Sequence, residues 1–352
     1  MDQIESWLAY LCCPACLAEL VAMGEALVCA GCESVYPIVA GIPDLRTDAS
    51  QPKETRRVEQ LLERFDSSDF RGLMRFYIGE TTKDSLLEVE LDYELEWARR
   101  GTKQLYRIES MARGLGGDAI AVDHFPGLYL DIGCGKGAML ATMAGRCDQA
   151  IGLDYSLEYL ILARKLFQEL GADNVLLIAG SNLALPLRSD CASLLTSIDV
   201  IEHIPDQAKG MAEDMRVLKP GGVIFMNSPN RYSVFAVEDH VRLWGVGFVP
   251  RRWMKGYVKA LSGLSYEGVW LMSYRQLRRL AREHSEHYEI RGVLFDPSSP
   301  DLSSKERILA RSKRLLSLFD AGFKYVLPSH QLMMRKAPLR YTDEAARLLP
   351  AA

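Results

Sequence analysis

Several features of membrane-spanning, secreted and disulfide-rich proteins are missing from this sequence of 352 residues. No apolar run approaches the ~18–20 residues that a membrane-spanning helix needs. The first six residues carry neither a basic segment nor a long apolar one, so they do not form a secretory signal. We therefore expect a cytoplasmic protein, in which the eight cysteines need an explanation other than disulfides.

The chain also lacks a strong excess of charge of either sign. Its formal net charge is -4, which gives no reason to expect an overall attraction to nucleic acid. Apolar residues make up 48% of the chain and charged residues 25%, as in ordinary globular proteins. The length fits one large domain and a small one.

Five of the eight cysteines lie within the first 32 residues. Two C-x-x-C pairs, Cys13/Cys16 and Cys29/Cys32, are separated by twelve residues, and this pattern predicts four thiolates around one structural zinc ion. A segment this small has too little core to fold without such a support. Cys12 is a competing ligand, but the proline that follows Cys13 favours Cys13. Reduced cysteines without a metal are the simpler alternative.

A glycine-rich turn organises the middle of the chain. Alternating apolar residues end in a carboxylate, Asp131, and Gly133, Gly135 and Gly137 follow at every second position before an apolar run of helical spacing. The spacing differs from the G-x-G-x-x-G dinucleotide fingerprint, and a carboxylate here suits a cationic ligand better than a pyrophosphate. A second short strand ends at Asp154, where doubly wound folds grip a ribose diol. A purely structural turn is the alternative.

Together these segments resemble the class I S-adenosylmethionine-dependent methyltransferases. The resemblance implies a doubly wound α/β fold with a seven-stranded, mostly parallel sheet, and S-adenosylmethionine as the cofactor. It also implies that the glycine loop holds the methionine part of the cofactor and that the second acid holds the ribose hydroxyls. The cofactor-binding residues expected on this basis are Asp131, Gly133, Cys134, Gly135, Gly137, Asp154, Tyr155, Ser181, Asn182 and Asp199.

The expected adenine site departs from the pattern of that family. After the third predicted strand the family usually carries an acid that binds the adenine amino group, whereas this chain has Ser181 followed by Asn182. Either side chain, or the main-chain N–H of Asn182, is then left to contact adenine.

Two carboxylates and an imidazole follow the fourth predicted strand, at the edge of the sheet where open α/β folds bind ligands. Asp199, Glu202 and His203 can hold an additional divalent cation, or His203 can act as a general base. The run resembles the ubiquinone-biosynthesis O-methyltransferases, in which an acid–x–x–Glu–His segment lies beside the substrate and is associated with a divalent metal. The resemblance implies catalytic roles for Glu202 and His203. Alternatively, His203 and Asp206 only cap and orient the next helix.

An insertion of about residues 232–272 follows the fifth predicted strand, where this fold usually carries its substrate-binding elements. The stretch 240–257 mixes aromatic and basic side chains. Peripheral contact with a membrane or a lipid-like acceptor, stacking on nucleic acid, and a plain buried lid are all open. His240 in this stretch is a second candidate for the catalytic base.

The N-terminal segment has a resemblance of its own, to the small zinc-ribbon proteins that activate RNA and protein methyltransferases. It rests on the runs Leu11-Cys-Cys-Pro-Ala-Cys16 and Tyr36-Pro-Ile-Val-Ala-Gly-Ile-Pro-Asp44. It implies a structural zinc and a docking or lid role. The predicted organisation is a zinc ribbon at 1–46, a helical linker or cap at 47–125, a methyltransferase domain at 126–336 and a tail at 337–352.

The sequence therefore predicts an S-adenosylmethionine-dependent methyltransferase that O-methylates a small-molecule or lipid-linked acceptor. An RNA methyltransferase that uses the ribbon to read its substrate is less favoured, because of the net charge and the lack of an Asn/Asp-Pro-Pro-Tyr run. An adaptor without activity is a third interpretation, against which the complete glycine loop and Asp154 stand.

Overall fold

The computed structural model describes residues 2–47, 52–80, 125–238, 240–293 and 324–337, and scattered positions from 82 to 111. In this part of the chain the helices are α1 Asp2–Glu5, α2 Pro52–Phe65, α3 Phe70–Gly79, α4 Ala138–Ala144, α5 Leu157–Leu170, α6 Gln207–Val217, α7 Arg251–Ser262 and α8 Tyr274–His284. The strands are β1 Leu20–Met23, β2 Ala26–Cys29, β3 Val35–Val39, β4 Ile42–Pro43, β5 Phe125–Ile132, β6 Cys147–Asp154, β7 Val175–Ala179, β8 Ala192–Ile198, β9 Leu218–Pro229, β10 His287–Val293 and β11 Ser329–Arg335. The sequence of residues 304–320 predicts a basic amphipathic helix; this segment, part of the predicted linker and nearly all of the predicted tail lie outside the described residues.

Seven strands form one sheet in the order β10-β11-β9-β8-β5-β6-β7. The strands β7, β6, β5, β8 and β9 run parallel to one another, and β11 runs antiparallel to both β9 and β10. The predicted doubly wound fold with a seven-stranded, mostly parallel sheet is therefore confirmed. The order changes direction between β5 and β8, which places a ligand-binding crevice at their carboxyl ends.

Alternation along β5 divides the interior into two cores. Leu128, Leu130 and Ile132 pack into one buried cluster, whereas Tyr129 packs into the cluster on the other face of the sheet. The period of two is the ordinary geometry of a strand that is covered on both sides. Asp131 lies between these apolar neighbours at the crevice and is therefore almost fully buried.

The helix after β6 begins and ends where its sequence indicates. The Ser156 side chain accepts a hydrogen bond from the main-chain N–H of Tyr159 at the start of α5, and Gly171 ends the helix with a φ of 62°. An N-terminal cap and a left-handed glycine are the usual signals for these two positions. They hold the Asp154 end of β6 at a defined distance from the glycine loop.

The N-terminal segment forms its own antiparallel sheet, β1-β2-β3-β4, and packs against the edge of the large sheet. The Leu45 N–H donates to the carbonyl of Ala179 at 2.8 Å, and Leu11 forms an antiparallel bridge with Leu187. Leu11 and Leu27 belong to the same buried cluster as β5 and β8. The small sheet therefore shares the core of the large one.

The insertion has a small core of its own. Val241, Val246, Met254, Val258 and Tyr266 are buried together, apart from the two clusters on the large sheet. Hydrogen bonds connect the insertion to the rest of the chain, among them the Trp270 N–H to the Glu202 carbonyl at 2.6 Å and the Arg231 side chain to the Gly247 carbonyl at 2.9 Å. The predicted boundaries of the four regions remain predictions.

Candidate functional site

A cavity of about 970 Å³ opens at the carboxyl ends of β5, β6, β7 and β8. Nine of the ten predicted cofactor residues line it, and so does His203. The nine are Asp131, Gly133, Cys134, Gly135, Asp154, Tyr155, Ser181, Asn182 and Asp199. Gly137 instead precedes α4 with a φ of 88°, and a Cβ there would approach Phe167 within 3.0 Å. Its role is conformational, since glycine alone takes this backbone shape without strain.

The glycine loop is tied to the end of β6 by main-chain donors. The N–H of Gly133 donates to the carbonyl of Leu153 at 2.7 Å, and the N–H of Gly135 donates to the Asp154 carboxylate at 2.8 Å. A Cβ on Gly133 would collide with Val200, whereas a Cβ on Gly135 would meet no atom within 4 Å. Gly135 therefore presents bare backbone to open space, as close approach of a ligand requires.

Asp131 lies at the floor of the cavity beneath this loop. Thr196 donates to its carboxylate at 2.6 Å, and the Tyr129 hydroxyl contacts Thr196 in turn. Burial raises the pKa of Asp131 to about 7, because desolvation disfavours the charged carboxylate. A cation in the cavity would restore the charged form.

Asp154 forms the opposite lip of the crevice. Its carboxylate accepts hydrogen bonds from the N–H groups of Gly135 and Ser156, both at 2.8 Å. Burial raises the pKa of Asp154 above its ordinary value, and these donors oppose the shift. The neighbouring Tyr155 is about half exposed and lines the cavity, so a ligand held by Asp154 would lie beside its ring.

Arg46 belongs to this lip, although no sequence motif indicates it. Its guanidinium is buried, pairs with Asp44 at 2.7 Å and with Glu54 at 2.8 Å, and donates to the carbonyl of Tyr155 at 3.0 Å. Glu54 also accepts from the N–H of Leu157 at 3.1 Å. The segment that leaves the small N-terminal sheet thus clamps the Asp154 turn.

At the predicted adenine position the structure favours Ser181 over the Asn182 side chain. The Asn182 amide donates to Asp214 on α6 at 2.7 Å and is buried there. Burial raises the pKa of Asp214 to about 8, so this pair belongs to the protein interior. The Ser181 hydroxyl and the main chain of Asn182 are what remains for a ligand.

Asp199, Glu202 and His203 do not converge on one point. The Asp199 carboxylate accepts from the Asn227 amide at 2.6 Å, and Glu202 is fully buried, whereas Asp199 and His203 line the cavity. Among the described residues, only the four N-terminal cysteines bring three or more metal-binding groups within reach of one ion. The geometry therefore does not support the additional divalent cation suggested by the sequence. Asp206 caps α6 by accepting from the N–H of Lys209, as the capping interpretation proposed.

His203 instead faces His240 of the insertion. Their Nε2 atoms are 3.1 Å apart, and the Nδ1 of His203 lies 3.2 Å from the carbonyl of Gly268. The Nδ1 of His240 contacts the carboxylate of Glu238. Partial desolvation lowers the pKa of His203, although its outer edge stays exposed. The two predicted base candidates therefore act as one pair.

A second cavity of about 190 Å³ lies between the insertion and the ends of β9 and β11. Asp199 lines both cavities, so they meet at this residue. Glu238 and the segment Gly245–Gly247 form the wall contributed by the insertion. A molecule held against the insertion would therefore lie next to a ligand of the larger cavity.

The four predicted zinc ligands lie at the tip of the small N-terminal sheet. All four sulfur atoms lie within 4.8 Å of one another, with Cys13 to Cys32 at 3.6 Å and Cys16 to Cys29 at 3.4 Å. Zinc–sulfur bonds of about 2.3 Å in a tetrahedron need sulfur atoms about 3.8 Å apart. The donor set fits a structural zinc, and Cys12 lies outside it.

The comparisons with known proteins agree with this site. Residues 130–226 match the model of a methyltransferase domain family. The ubiquinone biosynthesis O-methyltransferase of Idiomarina loihiensis is 30% identical over 182 residues, which are 50% of this chain and 70% of that protein. A probable S-adenosylmethionine-dependent methyltransferase of Mycolicibacterium smegmatis is 36% identical over 111 residues, 31% of this chain and 41% of that protein.

A similarity to solved structures is also found. The phosphoethanolamine N-methyltransferase 2 of Haemonchus contortus, solved with phosphomonomethylethanolamine and S-adenosylhomocysteine, is 18% identical with a TM-score of 0.45. The match covers 67% of this chain and 52% of that one, and at this level it carries no argument about function.

A glycine loop between a buried acid and a half-buried one, on a sheet of this order, defines a class I S-adenosylmethionine-dependent methyltransferase. The sequence relatives lead to the same class, and this chain belongs to it. The buried Asp131 and the bare backbone at Gly135 suit the cationic cofactor of that class.

Proposed function

We propose that this methyltransferase transfers the methyl group to a hydroxyl of a small-molecule or lipid-linked acceptor. The cofactor supplies an activated methyl group, and the protein aligns the hydroxyl with it and excludes water. The observation that carries the proposal is the position of His203, an imidazole with a lowered pKa that lines the cavity next to Asp199. A neutral imidazole at that place can take the hydroxyl proton.

The cofactor residues are proposed in the same way. Asp131, Gly133 and Gly135 would hold the methionine part, and Asp154 with Tyr155 would hold the ribose. The main chain of Asn182 and the hydroxyl of Ser181 would contact adenine. The relative from Idiomarina loihiensis, named as an O-methyltransferase, supports hydroxyl chemistry over amine chemistry.

The lipid-linked part of the proposal rests on the surface of the insertion. Trp244, Phe248 and Trp253 are each more than half exposed, which is unusual for side chains of this size. Exposed Arg252, Lys255 and Lys259 lie three and four residues apart along α7 and so share one face of that helix. Exposed aromatic rings beside basic side chains suit the surface of an anionic membrane. Among the described residues no helix is long and apolar enough to cross a bilayer.

RNA methylation with the ribbon as the reader is weakened by the charge of the ribbon. Residues 1–46 contain six acidic residues and one basic residue, Arg46, so their formal charge is 1 − 6 = −5. Arg46 is buried in its ion pairs. A surface that binds RNA without sequence preference needs exposed cations for the phosphates.

The test is transfer of labelled methyl from S-adenosylmethionine into an extract of the source cells, separated into lipid, RNA, protein and small molecules. We expect label in the lipid or small-molecule fraction, and its loss with His203→Ala but not with His284→Ala on α8. Base-stable label that is lost on ether cleavage would mark a methylated hydroxyl. Label confined to RNA and lost with Cys13→Ser would overturn the proposal, and cofactor binding without any label would favour an inactive adaptor.

A further inference from the structure

Two histidine rings face each other where the insertion meets the methyltransferase core, with their Nε2 atoms 3.1 Å apart. We propose that Glu238 and His240 are positioning residues that set the protonation state of His203, so that the two imidazole rings share one proton whose charge the Glu238 carboxylate balances. This inference rests on the proposed function, in which His203 accepts the proton of the acceptor hydroxyl. Neither Glu238 nor its link to His203 is predicted by the sequence.

The hydrogen-bond partners fix the state of two of the four ring nitrogens. The Nδ1 of His203 lies 3.2 Å from the Gly268 carbonyl, which can only accept, so this nitrogen carries a hydrogen. The Nδ1 of His240 contacts the Glu238 carboxylate, so a proton lies between them. If both rings were neutral with these tautomers, two lone pairs would face each other across the 3.1 Å between the Nε2 atoms. A close contact of this kind needs a proton on the line between the rings.

Glu238, His240 and His203 together then carry no net charge. One imidazolium, shared by two rings, is balanced by the carboxylate of Glu238, whose side chain is only 6% exposed. A buried carboxylate next to an imidazole favours the protonated ring. Other groups contribute to the local field, since Tyr266 interacts electrostatically with Glu238, Arg231 and Arg251, and Asp199 and Lys209 line the cavity beside His203.

This arrangement corresponds to the protein after a turnover. In the reaction the hydroxyl oxygen bonds to the methyl carbon, the bond from that carbon to the sulfonium sulfur breaks, and the hydroxyl proton passes to Nε2 of His203. The proton is then shared with His240, which is exposed, and leaves to water. When it has left, the facing lone pairs repel, and the His203 ring is free to accept from the next hydroxyl. One proton is released for each methyl group transferred.

The inference can be tested on the full chain without any acceptor. Histidine ring nitrogens are followed by nuclear magnetic resonance as the pH is varied, in the wild type and in Glu238→Gln. We expect His203 and His240 to titrate as a pair with a shared, strongly downfield proton. Loss of the carboxylate in Glu238→Gln should lower the proton affinity of the pair about tenfold, a change of about one pKa unit.

The matched control is Glu267→Gln, which removes a carboxylate of the same insertion. Glu267 pairs with Lys255 at the surface and is 69% exposed, so its loss should leave the titration unchanged. His240→Gln keeps a polar side chain of similar reach and should abolish the shared proton. Unchanged cofactor affinity in all three variants would show that the fold is intact.

Independent titration of the two rings, or the same titration in Glu238→Gln as in the wild type, would contradict the inference. A failure of the proposed O-methylation would appear only in the extract assay, because this titration needs no acceptor. With an acceptor in hand, Glu238→Gln should shift the pH profile of kcat while leaving the KM for the cofactor unchanged.

Discussion

The two walls of the active-site crevice are built in different ways. On the side of the ribbon, the chain is tied down by main-chain hydrogen bonds, a buried ion-pair cluster around Arg46 and residues of the large core. On the side of the insertion, a separate small core is connected to the rest of the chain through polar side chains such as His240 and Arg231.

Under the proposed function, this difference separates a fixed cofactor end from an adaptable acceptor end. Main-chain pairing and close-packed cores have one low-energy arrangement, whereas polar contacts between two small elements are cheap to break and remake. Methyltransferases as a class share one cofactor but act on many different acceptors. The part of the fold that contacts the acceptor is therefore where structural variation has to be tolerated. Substitutions that alter one wall at a time test this difference.

Loss of the zinc site should have the largest effect on the stability of the protein. Cys13→Ser with Cys16→Ser removes two of four ligands, and we expect about 4 kcal/mol or more of destabilisation, since the ribbon core is too small to hold alone. Thermal unfolding with and without a zinc chelator measures it. Cys12→Ser is the control, because this buried thiol is outside the ligand set, and we expect it to cost about 1 kcal/mol. Equal losses in both variants would mean that the ribbon is not held by metal.

Arg46→Met should cause the next largest loss of stability. It leaves Asp44 and Glu54 as uncompensated charges and frees the Asp154 turn, so we expect about 3 kcal/mol of destabilisation and weaker cofactor binding. The control is Arg188→Met, which breaks an exposed ion pair to Glu19 across the same interface and should cost less than about 1 kcal/mol. Denaturant unfolding and calorimetric titration with cofactor are the measurements. A cofactor affinity that stays at the wild-type value would remove the ribbon from the cofactor wall.

Cofactor binding should depend on pH through Asp131. Its pKa of about 7 in the free protein means that the carboxyl is mainly protonated at pH 6 and mainly ionised at pH 8. A cationic ligand favours the ionised form, so binding releases a proton and the affinity for S-adenosylmethionine should rise about tenfold over that interval. S-adenosylhomocysteine, which lacks the sulfonium charge, should show a weaker dependence. Asp131→Asn should bind with the same affinity at both values.

The raised pKa of Asp131 also makes the stability of the protein depend on pH. Stability should fall as the pH rises, whereas cofactor affinity should increase. The raised pKa of Asp131 stabilises the protein at low pH, and that contribution is lost as the pH rises through about 7. Asp131→Asn should therefore gain stability relative to the wild type at pH 8 but not at pH 5. Denaturant unfolding of the cofactor-free protein at both values provides the check.

The smallest effect is expected at the surface of the insertion. Trp253→Ser should reduce binding to vesicles of mixed neutral and anionic lipid several-fold, because the exposed ring would otherwise enter the interface. Leu17→Ser changes an equally exposed side chain on the ribbon and serves as the control. Flotation of the protein with vesicles measures both. If neither variant nor wild type floats, the acceptor is not reached through a membrane.

Local patterns were enough to select residues that lie together at the expected cofactor end, but not to find the contacts at the proposed acceptor end. The glycine loop, Asp131 and Asp154 lie within 24 residues, so their spacing carries the turn and the two acids that flank it. The ligand set of Cys13, Cys16, Cys29 and Cys32 was equally local. In these cases strand, turn and side chain are set by neighbours in sequence.

The partners that the sequence did not indicate are joined by tertiary contacts alone. Arg46 and Tyr155 are 109 residues apart, and His203 and His240 are 37 apart. Asn182 was expected to contact adenine, but its side chain is taken by Asp214, which lies 32 residues further on. The residues next to these partners in sequence do not indicate the pairings. Each pairing depends on how α6, the ribbon and the insertion pack on the sheet.

Calorimetric titration with S-adenosylmethionine tests the division between the two walls most directly. Asp154→Ala removes a carboxylate of the cofactor end and Glu238→Gln one of the acceptor end, and each is compared with the wild type at the same pH. We predict about a hundredfold loss of affinity in the first, as for a lost charged hydrogen-bond partner, and an unchanged affinity in the second. Equal affinity in wild type and Asp154→Ala, or a loss in Glu238→Gln as large as in Asp154→Ala, would contradict this account.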